Sequence, residues 1–186
     1  MTTKIEPLMT IADLEAMPDD GNRYEIIEGE LFVSCSPGLT HQRVLGNILF
    51  LIRKYLENNS IGEVITTPGL ILTDYSGVIP DVVFFTNQRR ETIVSNERLT
   101  SAPDLVIEIL SPGAENTRRD RVAKLQLYAK HGVPEYWILD PSKRVLEVYR
   151  AHDTSLQLTA MLQNEDELTT AALPGFSCVV GEIFKL

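Results

Sequence analysis

The segment PDLVIEILSPG, residues 103–113, constrains the fold most strongly because it is apolar on both faces of a predicted strand. Side chains alternate along a strand, so its apolar residues divide between two faces: Leu105, Ile107 and Ile109 on one, Val106 and Leu110 on the other. Such strands are typical of a sheet that is covered by helices. Glu108 interrupts the second face, where an unpaired carboxylate is costly and tends to be protonated. Glu108 therefore requires a partner.

The composition predicts a single domain covering residues 1–186. The chain is 44% hydrophobic and shows no change of composition along its length, which favours one sizeable core. A net charge of −9 disfavours general attraction to phosphate backbones or to anionic membranes. Bound divalent metals or a local cationic groove would reverse the sign of the field where they lie. The acidic charge therefore lowers the expectation of a nucleic-acid enzyme without excluding one.

The sequence also predicts where the protein is found. The start MTTKIEPLMT has no basic segment followed by an apolar core, and no apolar run approaches the roughly 18–20 residues of a membrane span. Cys35 and Cys178 are isolated, which favours reduced thiols over a disulfide or a zinc site. We therefore expect a cytoplasmic protein with no membrane partner.

Hydrophobic periodicity predicts an α/β (α+β) domain with a central mixed sheet flanked by helices. NRYEIIEGELFVS forms an N-terminal hairpin, and residues 36–59 form a helix with Ser36 and Pro37 as start signals. A second helix covers residues 116–132 and ends at Gly132. Residues 86–101 are interpreted as a polar link. The remaining extended segments, three of them toward the C-terminus, are predicted strands: EVITTPGLILT, GVIPDVVFF, EYWILD, RVLEVYR and SLQLTAML.

Two of these strands carry one acid each among apolar residues, Asp81 in IPDVVFF and Glu108 in PDLVIEIL. If the strands are neighbours, the two carboxylates can converge on Mg²⁺ or Mn²⁺, because hard divalent cations prefer oxygen ligands. Alternatively, each acid accepts hydrogen bonds from backbone amides or an arginine, or lies at an exposed strand end. The spacing leaves both interpretations open.

The second helix places Asp120, Lys124 and Tyr128 on one face, at positions i, i+4 and i+8. An ammonium near two metal-bound carboxylates would position a water or stabilise charge on a phosphate, whereas the alternative is an ordinary surface ion pair. His41 either contacts a phosphate or metal, or is a capping or partly exposed residue. Glu25 either approaches the site or faces solvent.

Two further groups have two interpretations each. Arg118, Arg119 and Arg121 form a dense basic cluster, which either meets phosphates or is a solvated helix start. Trp137 with Tyr136 could stack on a base, but their position in EYWILD favours packing in the core.

Five motifs in this order resemble one bacterial family: YEIIEGEL, PGLTHQ, IPDVVFF, PDLVIEILSP and RRDRVAKLQLYAKHGVPEYWILDP. It is the Uma family of restriction-endonuclease-like proteins, within the PD-(D/E)XK nuclease superfamily. The resemblance runs from about residue 10 to the C-terminus. It implies a restriction-endonuclease-like core, with a mixed, mainly four-stranded sheet flanked by helices and a metal-dependent site that cleaves phosphodiester bonds.

The resemblance also implies roles for single residues. Asp81 matches the first acid of the superfamily, and Glu108 matches the acid of its D/E-x-K element. Leu110 stands where that element usually has lysine, and the resemblance implies that Lys124 replaces this lysine from the following helix. Glu25 and His41 match other recurrent positions of the family.

Our leading hypothesis is an endonuclease that requires Mg²⁺ or Mn²⁺ and acts on nucleic acid, with DNA as the expected substrate. Asp81 and Glu108 bind the metal, Lys124 assists the attacking water or the phosphate, and His41 and Glu25 support the site. The alternative is a catalytically inactive nuclease-fold module for binding or assembly, such as a homodimer. The acidic charge, Leu110 and the absence of an attached DNA-binding motif favour this alternative.

Overall fold

The computed structural model describes residues 7–185, so the first six residues and Leu186 of the predicted domain lie outside the described part. The helices are α1 (Ile11–Glu15), α2 (Leu39–Leu56), α3 (Asn87–Ile93), α4 (Ala114–Arg118), α5 (Lys124–Lys130) and α6 (Val180–Ile183). The first strands are β1 (Arg23–Ile27), β2 (Glu30–Ser34), β3 (Gly62–Thr66), β4 (Leu70–Thr73), β5 (Ser76–Val78), β6 (Val82–Thr86), β7 (Val94–Ser95) and β8 (Arg98–Leu99). The later strands are β9 (Leu105–Ile109), β10 (Glu135–Asp140), β11 (Val145–His152), β12 (Ser155–Leu162), β13 (Glu167–Thr169) and β14 (Ser177–Val179).

Strand β9, which carries Glu108, lies inside a six-stranded mixed sheet of order β12-β11-β10-β9-β6-β3. It runs parallel to β10 and antiparallel to β6. All five of its residues are buried, because both faces of this sheet are covered. Helix α2 packs Val44, Ile48 and Ile52 on one face, and Leu127 and Tyr128 of α5 pack on the other. The interpretation of this segment as a two-faced interior strand is confirmed.

A second sheet, of order β2-β1-β5-β4-β8-β7, contains the predicted N-terminal hairpin. Its strands β1 and β2 turn at Glu28 and Gly29, which both have positive φ angles. Side chains from this sheet join the apolar cluster on the α5 side of the central sheet: Ile27, Phe32, Leu70 and Val78. Strand β1 is thereby brought close to β9, although about 80 residues separate them in the chain.

The predicted fold class is confirmed, but local expectations differ from the structure. The predicted strands EVITTPGLILT and GVIPDVVFF are each divided between the two sheets, as β3 and β4 and as β5 and β6 respectively. Three further expectations also differ. Helix α2 begins after Gly38 rather than at Ser36 and Pro37. The expected polar link contains helix α3 and the short strands β7 and β8, because tertiary contacts such as the Arg89–Asp104 ion pair fix its polar side chains. The second helix is interrupted by a π-helical turn between α4 and α5. None of the helices within residues 7–185 combines the length and the apolar character that crossing a membrane requires.

The pairing of β3 with β6 gives a test of the central sheet. A Cβ atom at Gly62 would overlap the carbonyl oxygen of Phe85 and lie 2.7 Å from the Phe84 ring. We expect Gly62→Ala to lower the free energy of unfolding by about 1–3 kcal/mol, as overpacking does. The matched control is Gly46→Ala in the exposed middle of α2, where nothing lies within 4 Å of the added Cβ. There alanine should stabilise by about 0.5–1 kcal/mol.

Urea unfolding of both variants measures this difference. Equal stability of Gly62→Ala and the unmodified protein would contradict the described β3–β6 packing.

Candidate active site

Two acids stand opposite each other on neighbouring strands. The antiparallel register of β6 and β9 pairs Val82 with Ile107, so Asp81, one residue before β6, lies across from Glu108. Opposite residues of an antiparallel pair share one face of the sheet. Both side chains are buried, and Asp81 Oδ2 accepts a hydrogen bond of 2.8 Å from the backbone amide of Ile109. The condition that the two strands be neighbours is therefore met.

Lys124, at the start of α5, is the partner that Glu108 requires. Its Nζ lies 2.8 Å from Glu108 Oε1 and 2.8 Å from Glu25 Oε1. The side chain of Lys124 is fully buried, and the Tyr128 hydroxyl donates a further hydrogen bond of 2.9 Å to Glu108 Oε1. Glu25 does not face solvent, because its Oε1 also accepts a 2.7 Å hydrogen bond from the Ile79 amide. One ammonium thus connects β1 to β9.

A π-helical turn, Arg119–Ala123, precedes Lys124. The Lys124 amide donates to the Arg119 carbonyl, five residues earlier, which widens the helix by one residue at this turn. Arg119 and Asp120 both lie buried in this turn, and Arg119 Nε donates to Asp120 Oδ1 at 2.8 Å. The Arg119 guanidinium also lies 3.5 Å from Glu25 Oε2. A second buried cation therefore joins the cluster of acids.

His41 and Arg23 surround the other acid, Asp81. His41 Nε2, in the first turn of α2, lies 3.1 Å from Asp81 Oδ2, and the Arg23 guanidinium lies 3.4 Å from Asp81 Oδ1. The Nδ1 atom of His41 is buried and has no hydrogen-bond partner among the described residues. Asp81 therefore contacts a histidine, an arginine and a backbone amide.

The pKa of Glu108 is raised by burial and by the acids around it. Burial, together with the charges of Asp81 and Asp120, raises the pKa of Glu108 to about 8, although Lys124 acts to lower it. Burial also raises the pKa of Asp120, against the opposing effect of Lys124 and Arg119. The pKa values of two of the four buried carboxyl groups of the cluster are therefore raised, and that of Glu108 lies above neutral pH.

The remaining groups of the cluster favour their charged forms. Burial opposes ionisation of Glu25, but Lys124 and Arg119 lower its pKa below the usual value. Burial likewise opposes ionisation of Asp81, whose pKa is lowered by hydrogen bonds from His41 and the Ile109 amide. Burial alone would lower the pKa of Lys124, yet the surrounding carboxylates raise it. Lys124 is therefore a permanent cation at neutral pH.

Two cavities open beside this cluster. The Asp81 cavity, of about 420 Å³, is bordered by Asp81, Arg23 and Arg119. The α2 cavity, of about 760 Å³, lies between the start of α2 and the turn that follows β10. His41 borders both cavities, whereas Lys124 borders neither. A ligand in the Asp81 cavity can thus reach Asp81 and His41, while Lys124 lies behind them.

All five predicted site residues are brought together: Glu25, His41, Asp81, Glu108 and Lys124. The sequence did not distinguish Arg119 from the neighbouring arginines. In the structure these neighbours pair elsewhere, Arg118 with Glu30 and Arg121 with Glu147. The basic sequence RRDR was the feature that could have pointed to Arg119 as a site residue. No feature of the sequence pointed to Arg23. The alternative contacts for Asp81, an amide and an arginine, also occur, so geometry alone does not assign its role.

The donor chemistry of the site fits a hard divalent cation. No group of three or more histidine, cysteine or acidic side chains arranged to hold a metal occurs within residues 7–185. Mg²⁺, however, usually takes only one or two protein carboxylates and completes its shell with waters and substrate phosphates. Asp81 and Glu108 supply two carboxylates, and a cation would offset the excess of acids around them.

Comparison with known proteins identifies a similar fold and then the family of the chain. Its fold is similar to that of "a putative nuclease belonging to DUF820" from Anabaena variabilis, with a TM-score of 0.76 and 18% identity over 95% of this chain and 97% of the other. The model of the Uma2 family, described as "Putative restriction endonuclease", matches residues 11–181. The chain belongs to this family, which confirms the resemblance drawn from the motifs. A search of curated proteins found no match.

The raised pKa of Glu108 predicts a pH dependence of stability. Between the ordinary value of 4.5 and about 8, the folded protein retains a proton on Glu108 that the unfolded chain has released. Its contribution to stability therefore falls as pH rises through this window. Glutamine at position 108 cannot take up or release this proton. As the pH rises through this window, the free energy of unfolding of Glu108→Gln should therefore increase relative to that of the unmodified protein. The slope is at most about 1.4 kcal/mol per pH unit.

Denaturant unfolding at several pH values from about 5 to about 8 measures this slope. The matched control for the loss of a glutamate charge is Glu57→Gln, an exposed residue at the end of α2. A difference between Glu108→Gln and the unmodified protein that stays constant with pH would rule out a retained proton on Glu108.

Proposed function

We propose that this protein is a divalent-metal-dependent nuclease that hydrolyses phosphodiester bonds in DNA. The observation that carries the proposal is the arrangement of Asp81 opposite Glu108 on paired strands, with the Lys124 ammonium 2.8 Å from Glu108. Membership of a family described as restriction endonucleases supports the reaction class. The substrate and the metal requirement rest on the chemistry of the site.

Asp81 and Glu108 would hold Mg²⁺ or Mn²⁺. When bound, such an ion polarises a phosphoryl oxygen and lowers the pKa of a bound water. Asp81 borders the Asp81 cavity, from which a phosphate would approach. Glu108 is held in a single position by Lys124 and Tyr128, so that its carboxylate is fixed before any ligand arrives.

Lys124 acts from behind the two acids. Because it is fully buried, its charge is weakly screened and favours negative charge that develops on a phosphate near Asp81 and Glu108. Glu25 orients Lys124 and helps to keep it protonated. Lys124 therefore supplies the charge that a leucine at position 110 cannot supply.

His41 and Arg23 are the residues best placed to meet a phosphate. Both border the Asp81 cavity and both contact Asp81. Helix α2 begins beside them, and its cap residue Gly38 has no side chain to occupy the first amide groups. The N-terminus of a helix favours an anion through its free amides and its dipole. These groups would bind the phosphate while Lys124 stabilises charge from the opposite side.

Cleavage assays test the assignment of the three principal residues. Asp81→Asn, Glu108→Gln and Lys124→Met should each reduce the Mg²⁺- or Mn²⁺-dependent cleavage of plasmid and single-stranded circular DNA by at least about 100-fold. The control is Glu135→Gln, another buried glutamate, which contacts Trp137 and Arg150 instead. It should retain activity.

Loss of Lys124 leaves buried acids without their cation and can destabilise by about 3–5 kcal/mol, so each variant must first be shown to be folded by circular dichroism. Cleavage at unchanged rates in all three folded variants would refute the site.

Metal binding provides a readout that does not depend on activity. Isothermal titration calorimetry should detect Mn²⁺ binding to the unmodified protein and to Glu135→Gln. The double variant Asp81→Asn with Glu108→Gln should not bind, because it has lost both anionic oxygen donors while keeping their shape. Binding that persists in the double variant would place the metal elsewhere. Absence of both binding and cleavage in the unmodified protein would favour the inactive nuclease-fold module.

A further inference from the structure

We propose that the site takes an unpaired nucleotide of single-stranded DNA, with the scissile phosphate in the Asp81 cavity and an adjacent base in the α2 cavity. This inference rests on the proposed nuclease function and adds the class of DNA to it. Its first support is continuity. Four residues border both cavities, which places the two directly side by side: Gly38, His41, Ser111 and Pro112.

The size and walls of the α2 cavity suit a base. Its volume of about 760 Å³ lies within the range of about 300–1,000 Å³ that small-molecule sites show. Apolar side chains that offer surface to the face of a base form part of the wall: Leu39, Leu110, Pro112 and Pro141. Hydroxyl groups that can bond to a base edge or a sugar alternate with them: Thr40, Ser111, Thr117 and Ser142.

His41 supplies an independent indication of a ligand. Its side chain is only 7% exposed and borders both cavities. Nε2 is occupied by Asp81, whereas Nδ1 has no partner among the described residues. A buried polar atom without a partner is unfavourable, so a turn of the ring on binding that brings Nδ1 to a polar group of a sugar or base between the two cavities would be favoured.

The charges around the cavities disfavour a duplex. Each of the four cations that border them already lies close to a carboxylate: Arg23 at Asp81, Arg119 at Asp120, Arg121 at Glu147 and Lys143 at Asp140. In a chain of net charge −9, contacts to a long row of phosphates therefore contribute little affinity. Contact with the faces of bases gives affinity without many phosphates. Bases within a duplex are stacked and cannot enter a cavity unless they are flipped out.

The affinity for two forms of one DNA tests the proposal. A fluorescein-labelled oligonucleotide, single-stranded or annealed to its complement, is titrated with the Glu108→Gln protein in EDTA, so that no cleavage occurs. Fluorescence anisotropy should show at least about 10-fold tighter binding of the single strand, which corresponds to the contribution of one stacked base.

A matched pair of variants locates the contact. Leu39 and Phe50 are both exposed apolar residues of α2, 76% and 63% exposed, but of the two only Leu39 borders the α2 cavity. In the Glu108→Gln background, Leu39→Ser should weaken binding of the single strand several-fold, up to about 10-fold. Phe50→Ser should leave the affinity unchanged.

Three binding results would overturn the proposal, as would one cleavage result given below: equal or tighter binding of the duplex, no binding of either DNA, or equal effects of Leu39→Ser and Phe50→Ser. Failure of the nuclease function is separable from these. Cleavage of duplex and single-stranded DNA at equal rates by the unmodified protein would support the nuclease function but contradict the binding of a base in the α2 cavity. Tight, Leu39-dependent binding of single strands by a protein that cuts no DNA would support the base cavity and refute the nuclease.

Discussion

The ammonium of Lys124 is the point on which the arrangement of the other elements depends. It lies between Glu25 of the N-terminal sheet and Glu108 of the central sheet, at 2.8 Å from each, in a region without solvent. A buried charge is tolerated only when its partners are well placed, and loss of one partner is strongly destabilising. The relative positions of β1, β9 and α5 are therefore coupled, and the same coupling fixes the carboxylate of Glu108.

The buried acids of this cluster outnumber its buried lysine and arginine side chains. An apolar core of similar volume would be at least as stable as a buried ionic network, so the network needs another explanation. Burial and neighbouring acids raise the pKa of Glu108 to about 8, so the folded protein retains a proton on Glu108 that an ordinary carboxyl group releases. Asp81, the acid that borders a cavity, is instead kept ionised by His41 and the Ile109 amide. One buried acid thus borders a cavity and is charged, while its neighbour borders neither cavity.

Regular periodicity made part of this site predictable. The alternation around Glu108 correctly predicted a two-faced interior strand, and the spacing of Lys124 and Tyr128 placed both on its side of α5. Arg119 could not be assigned, because its inward position depends on a π-helical turn that shifts the face of the helix by one residue. Arg23 lies near Asp81 only through the packing of two sheets, and no local pattern reports such packing. The start of α2 at Gly38 was missed because Ser36 and Pro37 carry stronger capping signals.

Leu110 connects the surroundings of Glu108 to the proposed substrate. It follows Glu108 by two residues on the same face of the sheet, and its side chain is buried in the apolar cluster while it borders the α2 cavity. A lysine at this position would place a charge in that wall. With the ammonium supplied by Lys124 from behind Glu108, position 110 is free to be apolar. In the proposed site, the ammonium of Lys124 and the apolar side chain at position 110 act together, so the proposed chemistry and the proposed kind of nucleotide depend on the same pair of positions.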